Sequence, residues 1–295
     1  MRKFNIQLFT VDPKTSKNAD FAKVVSVDFA TQFEKGIDTL MAMIGVARKI
    51  EVKAGEALMA YNVTGTLESG EVAEGEVIPL SKYATTYTAI GTAVLKKWRK
   101  VTTAEAISKK GFKQAVSDTN GKMLRQIQDG IRTDYTTFLG TGGATASGAG
   151  FQAAMAAGWG KLKVLFEDTA IESVYWVNPM DVATYLGGAQ ITTQTAFGMT
   201  YIENFIGLGT VILDSNVPQG TYYATAKENV VLYFIPANSG DMADAFDLIA
   251  DETGLIGIHN GPVHNSASYE TVAYSGVGLF AENLGGVVVG TISAA

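Results

Sequence analysis

The stretch that most constrains this chain is Ala54–Lys100. Two strand-like runs, Ala57–Thr66 and Lys82–Val101, flank Glu68-Ser69-Gly70-Glu71-Val72-Ala73-Glu74-Gly75-Glu76, an acidic, glycine-rich tip. Runs of strand formers bounded by turn formers predict a long β-hairpin with a wide turn. Arms of about a dozen residues, at about 3.3 Å each, reach roughly 40 Å. A two-stranded ribbon of that length is marginal alone in water, so it must lie on something. Whatever this chain folds into has to supply that surface, from itself or from a neighbour.

The flanking segments pose the same demand. In residues 1–27, Phe4, Ile6, Leu8, Phe9 and Val11 nearly alternate and a polar turn-rich stretch, Asp12–Asn18, follows. This reads as an extended arm with nothing local to pair against. Asp28–Val46 carries apolar residues at threes and fours, the mark of a helix with one buried face. After the hairpin, Thr102 or Thr103 caps a helix with Glu105 in its first turn. Helical spacing then continues to Leu139, a rod of roughly 54 Å, with a bend expected at Asn120-Gly121. Gly140–Gly150 reads as a flexible loop. From Phe151 onward the pattern is α/β: helix Gln152–Leu165, strand Ser173–Val177, an Asn178-Pro179 turn into helix Met180–Leu186, and strands at Thr210–Leu213, Tyr222–Ala226 and Val230–Ile235. Asp241–Asp251 is acidic and helical in tendency, and Ser268–Thr291 is strand-like.

Composition narrows the function classes. Of 295 residues 47% are apolar, which excludes disorder. Only 18% are charged while 32 are glycine, a sparse surface for a free molecule and a reasonable one for a subunit covered by neighbours. The net charge of −6 argues against a dedicated nucleic-acid binder but not against a protein that encloses DNA. No cysteine is present, so disulfides, thiolate metal sites and cysteine nucleophiles are out. The longest apolar stretches, Thr39–Ala47 and Gly150–Gly160, are too short to span a bilayer.

No constellation carrying catalytic, metal or cofactor chemistry stands out. His259 and His264 flank Gly261-Pro262 and read as solvated loop residues, without a partner serine or further ligands. Gly140-Thr141-Gly142-Gly143 lacks the P-loop lysine, and Gly207-Leu208-Gly209-Thr210 opens a strand rather than a helix. Asp241, Asp244 and Asp247 read as a solvated acidic face. The one dense basic patch is Lys96, Lys97, Arg99 and Lys100 around Trp98, continued by Lys109, Lys110 and Lys113. The favoured reading pairs it across subunits with Glu68, Glu71, Glu74 and Glu76 of the hairpin tip. Nucleic-acid contact is the competing reading.

The order of parts, apolar arm, short helix, long hairpin, rod helix and α/β lobe, resembles the Hong Kong 97-type fold of tailed-bacteriophage major capsid proteins. Ile78-Pro79-Leu80-Ser81-Lys82-Tyr83, leading into Lys96–Val101 and Thr103–Ile107, is similar to that family's E-loop-to-spine junction. Val174-Tyr175-Trp176-Val177-Asn178-Pro179 resembles the turn opening its A-domain, and Gly207–Ile212, Val217–Thr221 and Gly285–Ile292 resemble later strands and turns. The resemblance implies an α+β fold divided as N-arm 1–27, short helix and connection 28–53, E-loop 54–100, P-domain with spine helix 101–168, A-domain 169–261 and returning strands 262–295. It implies a shell of pentamers and hexamers around double-stranded DNA held without sequence-specific contacts, in a virion assembled in the bacterial cytoplasm. The implied partners are further copies of the chain, a separate scaffolding protein (or, in its place, a prefix removed from the form given), a portal protein and a decoration protein, with no membrane, cofactor or enzymatic activity. The acidic tip lacks a lysine for the covalent linkage some members form, and Tyr274–Phe280 lacks the arginine many carry there. An encapsulin-like nanocompartment shell and an α/β enzyme or binding module with its site in Phe151–Ala250 are the alternatives.

Overall fold

The structure, a computed structural model, describes residues 37–167, 170–188, 201–202, 207–237 and 240–294. The expected arm, 1–27, and the first part of the expected helix from Asp28 lie outside the described residues. That helix is present as α1, Asp38–Val46, with Leu40, Met43 and Ile44 buried. A short strand β1, Arg48–Glu51, leads to the hairpin. Its arms β2, Ala57–Thr66, and β3, Lys82–Thr92, pair antiparallel from Ala57 opposite Thr92 to Thr66 opposite Lys82. The single run expected over Lys82–Val101 is two strands. The second, β4 at Lys96–Thr103, belongs to another sheet. The interruption has a cause: Ala93 is buried with Val52, Tyr233 and Ile235, and exchanges backbone hydrogen bonds with Gly55 and Glu56 that close the ribbon's base.

Thr103 caps α2, Ala104–Lys110, as expected, its hydroxyl accepting from the Ala106 N–H at 3.3 Å. The continuous rod is corrected. Gly111, at φ 84°, ends α2; Lys113–Ser117 forms a π-helical turn; α3 then runs Asp118–Leu139, about 33 Å. The break falls at Gly111, where the backbone takes a conformation that side chains resist, while Gly121 stays inside α3. The expected flexible loop Gly140–Gly150 contains β5, Ala144–Ala149. A Cβ on Gly148 would run into the backbone of Ala153 and Ala154, so this glycine serves close packing rather than hinging.

The lobe follows its expected order: α4, Phe151–Phe166; β6, Ser173–Val177; α5, Pro179–Gly188; β7, Tyr201–Ile202; β8, Thr210–Leu213; β9, Thr221–Ala226; and β10, Val230–Phe234. Asn178 opens α5 by accepting the Met180 N–H at 2.9 Å. After α6, Asp241–Phe246, and β11, Ile249–Ala250, comes a strand the sequence hid, β12 at Ile256–Val263. His259 therefore lies in a strand, its Nδ1 3.3 Å from the Asp247 carbonyl, rather than in a loop. The tail is three strands: β13, Ser268–Ser275; β14, Val277–Ala281; and β15, Val287–Ser293.

Among the described residues three sheets form besides the ribbon, ordered β5-β15-β9-β6-β8-β7, β11-β12-β13-β4 and β1-β10-β14. In the six-stranded sheet every residue of β6 is buried, because both faces are covered. Val174, Trp176, Ile212 and Tyr223 pack toward α1 and α3. Tyr175, Val177, Val211 and Tyr222 pack toward α4 and α5. The period-two alternation thus feeds two cores from one sheet. Part of the glycine excess is explained here: Gly65, Gly278 and Gly290 each face a tyrosine across an antiparallel pair (Tyr83, Tyr233 and Tyr222), and the ring occupies the space a Cβ would need.

Candidate functional site

Among the described residues the ribbon's main partner is itself, and apolar side chains along it stay in solvent. Met59, Val63, Tyr83 and Tyr87 are exposed along its strands; Leu67, Val77, Ile78 and Leu80 are exposed around the tip. The tip is shaped by its own hydrogen bonds, Glu68 N–H to Ser81 Oγ at 3.0 Å and Glu76 N–H to the Ala73 carbonyl at 3.1 Å. Glu68, Glu71, Glu74 and Glu76 all project there into solvent, and among the described residues none is in an ion pair. A contiguous exposed apolar ribbon edged with charge is the signature of an interaction surface.

The basic cluster is divided by the strand it sits on. Successive residues of β4 face opposite sides. Lys96 reaches Asp134 on α3 at 2.8 Å. Lys100 donates to the Asn120 Oδ1 at 2.7 Å, to Thr119 and to the Val116 carbonyl, and forms no ion pair among the described residues. Partial burial lowers its pKa to about 8. From the other face Arg99 holds Glu270 on β13 at 2.5 and 3.1 Å. Lys97, Lys109 and Lys113 are exposed and Lys110 half-buried, without ion pairs among the described residues. Three of the seven candidate cations are therefore engaged within the chain, and the acidic tip pairs with none of them inside one copy.

The anchor of α3 joins residues far apart in the sequence. Arg132 donates Nε and Nη2 to Asp214 Oδ1 at 2.9 and 2.5 Å, and Nη2 also reaches Ser215 Oγ at 2.9 Å. Thr136 donates to the other Asp214 oxygen at 2.5 Å, and the Asn216 N–H to Oδ1 at 2.9 Å. Asp214 is wholly buried at the end of β8, so this pair rivets the long helix to the six-stranded sheet. The only sequence signal is a polar pair, Arg132 and Thr136, on the helix's apolar face.

Beside the ribbon's base, α3 and the ends of β4, β10, β13 and β14 enclose a groove of about 540 Å³. Trp98, Ile127, Leu232 and Val277 make it apolar, and the Lys96–Asp134 pair sits at its rim. Tyr135 and Ser275 line it as well; their hydroxyls are buried and lack a hydrogen-bond partner. Burial also raises the Tyr135 pKa, so the phenol remains a donor. Among the described residues no three His, Asp or Glu side chains converge as a metal site, and no helix is long and apolar enough to cross a membrane.

No protein-family model matches this sequence, and no curated protein sequence matches it. Solved structures do. The chain superimposes on the cyanophage A-1(L) capsid protein with a TM-score of 0.62 at 11% identity, over 95% of this chain and 99% of that one. The mature capsid of bacteriophage PhiM1 gives 0.61 at 8% identity over 97% of both chains. The capsid of cyanophage P-SCSP1u gives 0.56 at 8% identity, over 100% and 93%. The chain thus has the fold of phage capsid proteins, the α+β arrangement that the order of its parts implies.

Proposed function

We propose that this chain is the shell subunit of a tailed-phage-type capsid, assembling through its ribbon with copies of itself into pentamers and hexamers around double-stranded DNA. The observation that carries this is the ribbon: ten residue pairs long, with Met59, Val63, Tyr83 and Tyr87 exposed on its strands and left uncovered by the other described residues. Such a hairpin is stable where a neighbour covers it. An isolated copy leaves it as a liability; a shell uses it many times over, and many modest contacts sum to a structure that resists opening. The reading assigns the chain a structural role and no chemistry; among the described residues no three His, Asp or Glu side chains converge as a metal site. The division into N-arm, E-loop, P-domain and A-domain belongs to the same proposal, as do a scaffolding, a portal and a decoration protein as partners and the virion as location. So does charge pairing between Glu68, Glu71, Glu74 and Glu76 and the cations left over on a neighbour: Lys97, Lys109, Lys110 and Lys113.

The test is expression of the chain, alone and with scaffolding candidates encoded nearby, followed by sedimentation and negative-stain microscopy. Closed shells, rings or tubes are expected. Excising residues 67–81 and joining the strands by a short turn should abolish them while leaving the melting temperature of the subunit unchanged. A chain that stays monomeric at high concentration in every condition overturns the proposal.

A further inference from the structure

Two outer faces of the subunit carry matched patches that the ribbon does not account for. α4 covers the side of the six-stranded sheet turned away from α3, and the far face of the helix is open. Ala153 and Ala156 are exposed there, and a Cβ on Gly160 would meet nothing within 4 Å. At about 100° per residue, Gly160 lies between Trp159 and Val164 on the helix surface. Small residues thus floor a shallow seat between two taller apolar side chains, 38% and 70% exposed. Its border is positive: Lys161 is exposed at one side, and the Lys163 ammonium stands 6.0 Å over the Trp159 ring. Neither lysine is in an ion pair among the described residues.

The second patch is the acidic stretch after β10. In the four-stranded sheet Trp98, Ala273 and Ile258 form one cross-strand row, which packs toward α3. Tyr274, one residue on, therefore faces the other way. Phe246, the last residue of α6, lies against that outer tyrosine with ring centroids 5.4 Å apart, yet stays 51% exposed. Ile249 follows at 72%. Asp244, Asp247 and Glu252 are exposed around them, without ion pairs among the described residues. Lys97, opposite Tyr274 in β4, borders the patch and leaves it net negative. Large exposed apolar side chains rimmed by charge mark a contact surface. Because α3 and the two sheets stand between α4 and α6, a copy cannot join its own two patches.

We propose that Phe246 of one copy seats over Gly160 of the next, between Trp159 and Val164, with Asp244 and Asp247 meeting Lys161 and Lys163. This rests on the shell-subunit reading and gives it a second contact, distinct from the ribbon. One side brings an aromatic knob in an acidic rim; the other brings an apolar seat in a basic rim. The central aromatic supplies affinity, and the rim charges choose the partner and its orientation. The two patches differ, so each copy gives one contact and receives one. That is a heterologous interface, the kind that closes into rings.

A charge swap in the full chain tests this, with the assembled fraction read by sedimentation. Asp244→Lys with Asp247→Lys should cut that fraction about tenfold, a loss of about 1.4 kcal/mol per contact, and so should Lys161→Glu with Lys163→Glu. All four substitutions in one chain should return it to within about twofold of the wild type, because opposite charges face each other again; unrelated structural damage would add up instead. Co-expressing the two reversed chains should also restore assembly, since each finds complementary charge only on the other. In a second measurement Gly160→Leu should fill the seat and lower assembly by a similar factor, with no drop in the melting temperature, leucine being a good helix former placed in open space. Reversals that leave assembly unimpaired, a quadruple variant that does not recover, or a Gly160→Leu chain that assembles normally overturns the contact while the shell reading stands. A wild-type chain that forms no particles overturns both.

Discussion

Removing the Asp214 carboxylate should be the most damaging single change to the fold, and its size follows from the contacts. Asp214 is wholly buried and accepts two donors from Arg132, one from Thr136 and one from the Asn216 backbone. In Asp214→Ala the Arg132 guanidinium, whose side chain is 10% exposed, keeps only Ser215 and a distant Asp129 at 3.9 Å. Breaking one partner of a buried pair costs about 3–5 kcal/mol, because a charge is left behind without compensation. The stranded Asn216 N–H adds about 1 kcal/mol. Against a typical total of about 5–15 kcal/mol, that is a large share. With a urea slope of about 3 kcal/mol per molar, the unfolding midpoint should fall by more than about 1 M. The assay is urea unfolding of the purified chain in monomeric form, read by tryptophan fluorescence. Replacing both partners, Arg132→Met with Asp214→Leu, should recover most of the loss, since the unpaired charge is then gone. If Asp214→Ala unfolds within about 1 kcal/mol of the wild type, the rivet contributes nothing and the reasoning fails.

Gly290→Ala should cost about 1–3 kcal/mol in the same assay, because its Cβ meets the Tyr222 ring, which is pinned by a 2.6 Å bond from its hydroxyl to the Ala154 carbonyl. Gly160→Ala, in open space inside α4, should stabilise by about 0.5–1 kcal/mol. Thr103→Ala should remove the cap of α2 and cost about 1 kcal/mol, measured by thermal melting. Lys100 carries a pH dependence: its folded pKa of about 8 lies below the unfolded 10.5, so its protonated form is disfavoured in the fold. The penalty is full below about pH 8 and is relieved as pH rises toward 10.5, where the unfolded chain binds the extra proton. Relative to Lys100→Met, the wild type should gain stability across that window; a flat difference contradicts it.

The long strands and helices were legible because their apolar periods are unbroken. Ser173–Val177 was found to the residue, since a strand buried on both faces reads as an uninterrupted apolar run. The break in the rod was misplaced because Gly111 and Gly121 look alike in sequence, and only the backbone conformation separates them. β5 was hidden because Ala144-Thr145-Ala146-Ser147-Gly148-Ala149 carries no strand signal; its pairing with β15 imposes the structure. Gly261-Pro262 hid β12 in the same way. The basic cluster was legible as composition but not as geometry, because strand alternation sends Lys96 and Lys100 to α3 and Arg99 to Glu270. The Arg132–Asp214 rivet joins positions 82 apart, beyond the reach of local pattern.

The place of β15 sets a clock. Residues 287–293 are the last strand described, yet they lie second in the six-stranded sheet, between β5 and β9. Val288 sits beside Ala144, so the sheet cannot close until residues made long after β5 have emerged. Until then β5 and β9 each present an open edge, the kind that pairs promiscuously. A chain synthesised to residue 280 already holds the residues of its ribbon but not those of a finished sheet. Closing the sheet is thereby the last step of folding, and the unfinished chain is the form most in need of a chaperone.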